Sequence, residues 1–223
     1  MTAQADAPAR RPLRSRGAPW ASALARRLTA WRVPPNLISA LSVVFAAAAG
    51  LCLWLAPSAA SPLGAVACYL GAAAGVQLRL LANLMDGMVA VEGGLGSKTG
   101  ELWNDLPDRF ADAAVLALAG YGLPGIPHGA ALGWTAAMAA VITAYVRVLG
   151  AAAGAGQHFL GPMAKPHRMA AMTVASLLAA GLAAWNRFWP LRLLMATLAL
   201  IVLGCAVTIA RRLRRIAAEL HAA

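Results

Sequence analysis

The sequence predicts an all-α integral membrane protein, a six-transmembrane-helix bundle with an N-terminal amphipathic interfacial helix. Hydrophobic residues make up 61% of the 223 positions, and charged residues only 12%, where soluble domains carry about 25%. Long apolar runs recur along the chain, and the first of them, residues 37–56, contains no charge. A spanning helix needs roughly 20 such residues. The basic residues lie between the runs and at both ends, as membrane topology requires.

Six apolar runs define the predicted spans. They cover residues 37–56, 63–85, 110–123, 130–146, 169–185 and 191–210. Alanine and glycine dominate them, and small side chains let membrane helices approach one another closely. A compact bundle is therefore expected.

The distribution of arginine predicts the orientation. The loops at residues 57–62 and 122–129 carry no charge, whereas both ends of the chain are basic. The basic positions are Arg10, Arg11, Arg14, Arg16, Arg26, Arg27, Arg32, Arg211, Arg212, Arg214 and Arg215. Because Lys and Arg stay on the cytoplasmic side, we expect a multi-pass protein of the inner or cell membrane. Both termini and the acidic segment described below would then be cytoplasmic.

Three regions are predicted along the chain. Residues 1–18 form a disordered basic N-terminus, residues 19–215 form one membrane domain, and residues 216–223 form a tail. Within the domain, residues 19–33 carry Trp20, Leu24, Leu28 and Trp31 on one side of a helix and arginines elsewhere. Such a helix can lie on an anionic leaflet. It can equally be an ordinary basic anchor for the first span, and both interpretations stay open.

Acidic residues are concentrated in one short segment. The chain has only 8 Asp and Glu, and six of them lie between residues 86 and 112. They are Asp86, Glu92, Glu101, Asp105, Asp108 and Asp112. Carboxylates at a membrane border are costly and therefore candidates for function. The alternative is a plain hydrophilic loop, which the glycines at 93, 94 and 96 would also suit.

The spacing of four side chains favours a site. Asn83 and Asp86 are three residues apart, and Asn104 and Asp108 are four apart, so each pair lies on one face if helical. Two helix ends would then direct oxygen atoms toward each other, and Mg²⁺ and Mn²⁺ prefer oxygen ligands.

Small residues accompany these side chains. Gly87 and Ala90 follow Asp86, and Gly100 precedes Asn104 by one turn. Without bulk at these positions a ligand can lie against the backbone.

The segment resembles the motif of the CDP-alcohol phosphatidyltransferase family, Asp-x2-Asp-Gly-x2-Ala-Arg-x8-Gly-x3-Asp-x3-Asp. Every interval is kept over residues 83–108. Five of the eight motif residues are identical, namely Asp86, Gly87, Ala90, Gly100 and Asp108. The resemblance covers the chain from about residue 33 to residue 212.

The resemblance implies a transferase. Such enzymes move a phosphatidyl-type group from a CDP-linked lipid to an alcohol and release CMP. The metal positions would be Asn83, Asp86, Asn104 and Asp108, surrounding two Mg²⁺ or Mn²⁺ ions that clamp the diphosphate. Asp108 would also be the catalytic base toward the acceptor hydroxyl.

Three departures from the motif weaken that expectation. Asn83 and Asn104 stand where the family has Asp, and Val91 stands where it has Arg. The site loses two negative charges, so its affinity for cations should fall. Glu101 or Asp105 could compensate as a ligand, and the sequence does not choose between them.

Pro107 complicates the second half of the motif. A proline inside a helix leaves a carbonyl without its partner, so a first-turn position suits it better. Asn104 or Asp105 would then be the N-cap, and Asn104 could be a cap rather than a metal ligand.

Basic residues near the predicted cytoplasmic side complete the candidate site. The family resemblance implies phosphate binding at Arg147, Lys165 and Arg168, although positive-inside topology also requires basic residues there. Residues 97–99 could touch nucleotide phosphate, but a solvated loop is the simpler interpretation.

Three functions remain in competition. The first is the transferase, with a CDP-linked lipid (CDP-diacylglycerol) and an alcohol or alcohol-phosphate acceptor as partners, in a membrane and without nucleic acid. The second is a catalytically weakened relative that binds a nucleotide lipid or a partner protein. The third, a small-solute transporter, is less favoured because transporters place their binding sites near the bilayer midplane. Family resemblance also suggests a homodimer.

Overall fold

A computed structural model describes residues 17–96 and 99–222, and of Glu101 the backbone only. These residues form seven α-helices and a short 3₁₀ turn, Ala56–Ser58. The helices are α1 (Pro19–Ala30), α2 (Pro35–Leu55), α3 (Pro62–Val91), α4 (Gly100–Tyr121), α5 (Gly129–Ala152), α6 (Lys165–Ala183) and α7 (Phe188–Ala222). The all-helical prediction is confirmed for the described residues.

The six long helices pack as a closed ring. In spatial order it runs α3, α2, α4, α5, α7, α6 and back to α3. Its interior contains mostly alanine, leucine and methionine side chains. Helices distant in sequence thereby become neighbours, and α3, α4 and α6 contribute charged residues to the same interior.

Four of these helices are long and apolar enough to cross a membrane. They lie at Pro35–Ser58, Pro62–Val91, Gly129–Ala152 and Phe188–Ala222. Helices α4 and α6 carry charged residues in their first turns, which lowers their apolar content. A membrane-spanning chain is thus supported, whereas the count of six spans stays a prediction.

Several helices extend beyond the apolar runs that predict them. Helix α3 continues to Val91 rather than ending near residue 85, and α7 continues to Ala222, past its arginine cluster. Helix α4 begins at Gly100, ten residues before the predicted start of the third span at 110. Apolar content marks only the part of a helix that can lie in lipid, so the polar extensions escape that criterion.

Helix α1 packs on α3. Its buried residues Ala21 and Ala25 belong to one cluster with Met85 and Met88, while Trp31 stays exposed. The structure has a helix at Pro19–Ala30, and its amphipathic, interfacial character stays a prediction. Residues 1–16 of the predicted N-terminus lie outside the described part.

Helices α4 and α5 are in close backbone contact at a pair of glycines, Gly120 and Gly133. A Cβ atom added to Gly133 would lie 2.7 Å from Cα of Gly120 and 2.8 Å from the carbonyl oxygen of Leu116. Backbone atoms cannot move aside as a flexible side chain can. This crossing therefore needs glycine, as close packing of membrane helices commonly does.

We expect Gly133→Ala to destabilise the bundle by about 1–3 kcal/mol, because the added methyl overpacks a backbone contact. Gly181→Ala is the matched control, since no described atom lies within 4 Å of a Cβ built there. That control should be neutral or slightly stabilising through helix propensity. Thermal melting of both variants in detergent checks this, and equal melting temperatures would contradict it.

Candidate active site

The two halves of the motif meet between α3 and α4. Nδ2 of Asn83 donates to Oδ1 of Asp108 at 2.8 Å. Asn83 lies on the last turns of α3 and Asp108 lies two turns into α4, so the contact joins positions 25 residues apart. The structure thus brings together three of the four predicted oxygen-bearing side chains: Asn83, Asp86 and Asp108.

Asp86 is the most enclosed of these side chains, at 3% exposure. Its Oδ2 accepts a hydrogen bond of 2.6 Å from the hydroxyl of Ser39, on the first turns of α2. Its Oδ1 is buried and has no hydrogen-bond partner among the described residues. We call this atom the open oxygen of Asp86. An unpaired buried carboxylate oxygen is costly, which indicates a place for a cation or donor.

Asp108 is held by protein donors on both of its oxygens. Nζ of Lys165, at the start of α6, donates to Oδ2. Nη2 of Arg79 lies 3.6 Å from Oδ1 and donates to the backbone oxygen of Asp108 at 3.4 Å. Together with Asn83, these donors bring residues of α3 and α6 to a carboxylate of α4.

One turn further along α4, Asp112 joins two arginines. Nη2 of Arg79 lies 2.5 Å from its Oδ1 and Nη2 of Arg168 lies 2.6 Å from its Oδ2. Arg168 also donates to the backbone oxygen of Met163 at 2.8 Å. All three charged side chains are essentially inaccessible. We name Arg79, Asp108, Asp112, Lys165 and Arg168 the acid–base cluster.

Sequence reasoning missed Ser39, Arg79 and Asp112 as site residues. The last two carried a signal, since each interrupts an apolar run that otherwise reads as a span, and a buried charge requires an opposite partner. Ser39 carried none, because serine is common in membrane helices.

Arg168 was predicted to contact substrate phosphate. It is 2% exposed, and its guanidinium is bound to Asp112 and Met163. In the structure it supports Asp112, and its contact with a phosphate stays a prediction.

The capping prediction for Asn104 and Asp105 is wrong. Helix α4 begins at Gly100 after Thr99, and Pro107 lies inside it. Pro107 has no N–H to donate to Trp103, but this single loss does not end the helix. Asn104 lies within α4, one turn before Asp108, and not at the end of the helix. Its side chain is exposed.

Asp105 is engaged away from the candidate site. Its two carboxylate oxygens lie 3.1 and 3.2 Å from Nη2 of Arg147, and Arg109 lies 3.1 Å away. Arg147 also donates to Gln157 at 3.3 Å and stacks on the ring of Phe159 at 5.4 Å. Arg147, a predicted phosphate contact, and Asp105, a predicted substitute ligand, therefore neutralise each other.

The remaining predicted residues are placed as follows. Gly87 and Ala90 are half-buried on α3, and Gly100 is half-buried at the start of α4. Thr99 is exposed. Residues 97 and 98 and the side chain of Glu101 lie outside the described part, so their predicted contacts do too.

The fold and site together define a class: an all-helical membrane bundle with buried carboxylates where α3 and α4 meet. Among solved structures the chain resembles the phosphatidylinositol phosphate synthase of Mycobacterium tuberculosis, a CDP-alcohol phosphatidyltransferase. The form in complex with manganese and citrate has a TM-score of 0.67 at 20% identity, covering 88% of each chain. The form with CDP-DAG bound has a TM-score of 0.68 at 21% identity, covering 89% of this chain and 94% of that one.

The apo form of the same synthase gives a TM-score of 0.64 at 21% identity, covering 87% of this chain and 94% of that one. No family model matches the chain, and no match is found among curated proteins. The likeness therefore shows a shared fold, in agreement with the fold that the motif implied.

Proposed function

We propose that this protein transfers a phosphatidyl-type group from CDP-diacylglycerol to an alcohol acceptor and releases CMP, as a step of phospholipid biosynthesis. The observation that carries the proposal is the position of Asp86 and Asp108, two buried carboxylates on facing helices at the intervals of the motif. The shared fold with a synthase solved with CDP-DAG bound supports it.

The site residues fit a divalent cation. The open oxygen of Asp86 is a buried acceptor in need of positive charge, and carboxylate and amide oxygens are what Mg²⁺ and Mn²⁺ prefer. We propose Asp86 as the principal ligand, with Asn83, Asn104 and Asp108 as the further donors that the motif implies. Such a cation would neutralise charge on the diphosphate and on the departing CMP.

Asp108 is proposed as the base. Its carboxylate accepts the proton of the acceptor hydroxyl, and the acceptor oxygen forms a bond to the lipid-side phosphorus. The bond from that phosphorus to the bridging oxygen breaks, and CMP leaves with the electron pair. Lys165 and Arg79 keep Asp108 oriented from two sides.

The other site residues are proposed in supporting roles. Gly87, Ala90 and Gly100 leave room for the nucleotide lipid beside the backbone. Lys165 is partly accessible and suits contact with a substrate phosphate, whereas Arg168 supports the cluster from inside.

The surroundings of the enzyme are also proposed. Six spans would place both termini and the site on the cytoplasmic side of the cell membrane. Helix α1 would lie on the leaflet with Trp20 and Trp31 exposed toward lipid. The resemblance favours a homodimer.

The proposal is tested by measuring CMP release from CDP-diacylglycerol by the purified chain with Mg²⁺ or Mn²⁺ and a panel of alcohols and alcohol phosphates. We expect release that requires both the acceptor and the cation and stops on chelation. A preparation that binds Mn²⁺ but makes no CMP with any acceptor would contradict it.

One observation favours the alternative of a non-catalytic relative: Asn83 and Lys165 already hold Asp108. The same assay separates the two. Under the alternative, the wild-type chain is inactive and Asn83→Asp combined with Asn104→Asp creates activity.

A further inference from the structure

We propose that Lys165 and Asn83 hold Asp108 in place of one of the two cations that the motif implies, so that the chain binds a single divalent cation, at Asp86. This inference rests on the proposed function for the class of cation. It deepens that function and changes one assignment: Asp108, which the motif implies as a metal donor, is held by the chain's own side chains and serves as the base alone.

The first argument is that both carboxylate oxygens of Asp108 already accept hydrogen bonds from protein donors. Its Oδ1 accepts from Asn83 at 2.8 Å and its Oδ2 from the ammonium of Lys165. Arg79 adds a second positive charge at 3.6 Å. An ion at Asp108 would have to displace Lys165 or face two cations at short range, and repulsion between like charges at a few ångströms is substantial.

The second argument concerns the exchange at position 83. An Asp there would place a carboxylate against that of Asp108, and two such groups cannot both stay ionised without a cation between them. Asn83 instead presents an N–H donor and binds Asp108 directly. The exchange turns a pair that requires metal into one held by a hydrogen bond.

The third argument is the charge balance. Asp86 and the acid–base cluster contain three carboxylates, at Asp86, Asp108 and Asp112, and three basic groups, at Arg79, Lys165 and Arg168. Together they are neutral before any metal binds. The diphosphate of a CDP-lipid can offset one divalent cation, but a second would leave uncompensated positive charge in a poorly solvated site.

Asp86 differs from Asp108 in having a carboxylate oxygen that no protein donor binds. Its Oδ2 accepts from the neutral hydroxyl of Ser39. Asp86 is 3% exposed, and its open oxygen has no hydrogen-bond partner within the described chain. One carboxylate is thus saturated by protein donors, and the other still needs a cation.

The experiment counts Mn²⁺ ions on the full chain in detergent by electron paramagnetic resonance. We expect one ion on the wild type and none on Asp86→Asn. Lys165→Met keeps the packing of the side chain and removes its charge, so a second ion should bind and the overall affinity should rise about tenfold. Lys165→Arg is the matched control and should stay at one ion.

Asn83→Asp tests the same idea without altering Lys165. It should also raise Mn²⁺ affinity, because it adds a carboxylate opposite Asp108. Two ions or none on the wild type, or unchanged binding in both Lys165→Met and Asn83→Asp, would overturn the proposal. Since Mn²⁺ is counted without turnover, missing CMP release counts against the proposed function alone.

Discussion

Asp108→Asn is expected to lower the rate of CMP release by about a thousandfold. General-base catalysis contributes roughly 10²–10⁴-fold, and the amide keeps the size of the side chain while losing its basicity. Asp108 is also the point at which Asn83, Arg79 and Lys165 converge. The measurement is the initial rate at saturating CDP-diacylglycerol and acceptor.

Asp105→Asn is the matched control for that variant. It makes the same chemical change on the same helix, but Asp105 faces Arg109 and Arg147 rather than the motif residues. Its rate should stay within about tenfold of the wild type, an allowance for the loss of a half-exposed ion pair. Equal losses in both variants would mean that Asp108 acts through folding and not through chemistry.

Asp112→Ala is expected to cost about 3–5 kcal/mol of stability. Its carboxylate is the shared partner of two buried guanidinium groups, at 2.5 Å from Arg79 and 2.6 Å from Arg168. Removing one member of a buried ion pair strands the remaining charge, which is far more costly than losing a surface pair. The melting temperature in detergent should therefore fall by about 10 °C or more.

A triple variant separates stranded charge from lost packing. Asp112→Leu with Arg79→Met and Arg168→Met replaces the ionic group by apolar side chains, which commonly restores or raises stability. We expect it to melt well above Asp112→Ala. Asp105→Ala, which breaks a half-exposed pair, should cost less than about 1 kcal/mol. An Asp112→Ala variant with the melting temperature of the wild type would refute the assignment of Asp112 as the partner of two buried charges.

The sequence predicted the parts of the site that depend on local spacing. Helical periodicity places Asn83 and Asp86 on one face, and the structure shows both near Asp108. The prediction failed at Pro107. A local rule placed this proline in the first turn of a helix, but the helix begins seven residues before it, at Gly100. Most side chains of that first part are exposed, but Asp105 within it is held by Arg109 and Arg147.

The roles of the basic residues were the least predictable. Arg147, Lys165 and Arg168 stand alike in the sequence, near the predicted cytoplasmic side of adjacent spans. The structure separates them, since Arg147 pairs with Asp105, Lys165 with Asp108 and Arg168 with Asp112. Positive-inside topology accounts for the presence of such residues but not for their partners.

The sequence by itself determined the apolar spans and the interval pattern that sets Asp86 and Asp108 on facing helices, because both follow from composition and from the period of one helix. Only the tertiary structure decided which charges neutralise each other. Ser39, Arg168 and Lys165 lie 47, 56 and 57 residues from the carboxylates that they bind, those of Asp86, Asp112 and Asp108. Contacts over such separations arise when the ring of helices closes, and a buried charge is stable only beside the partner which that closure provides.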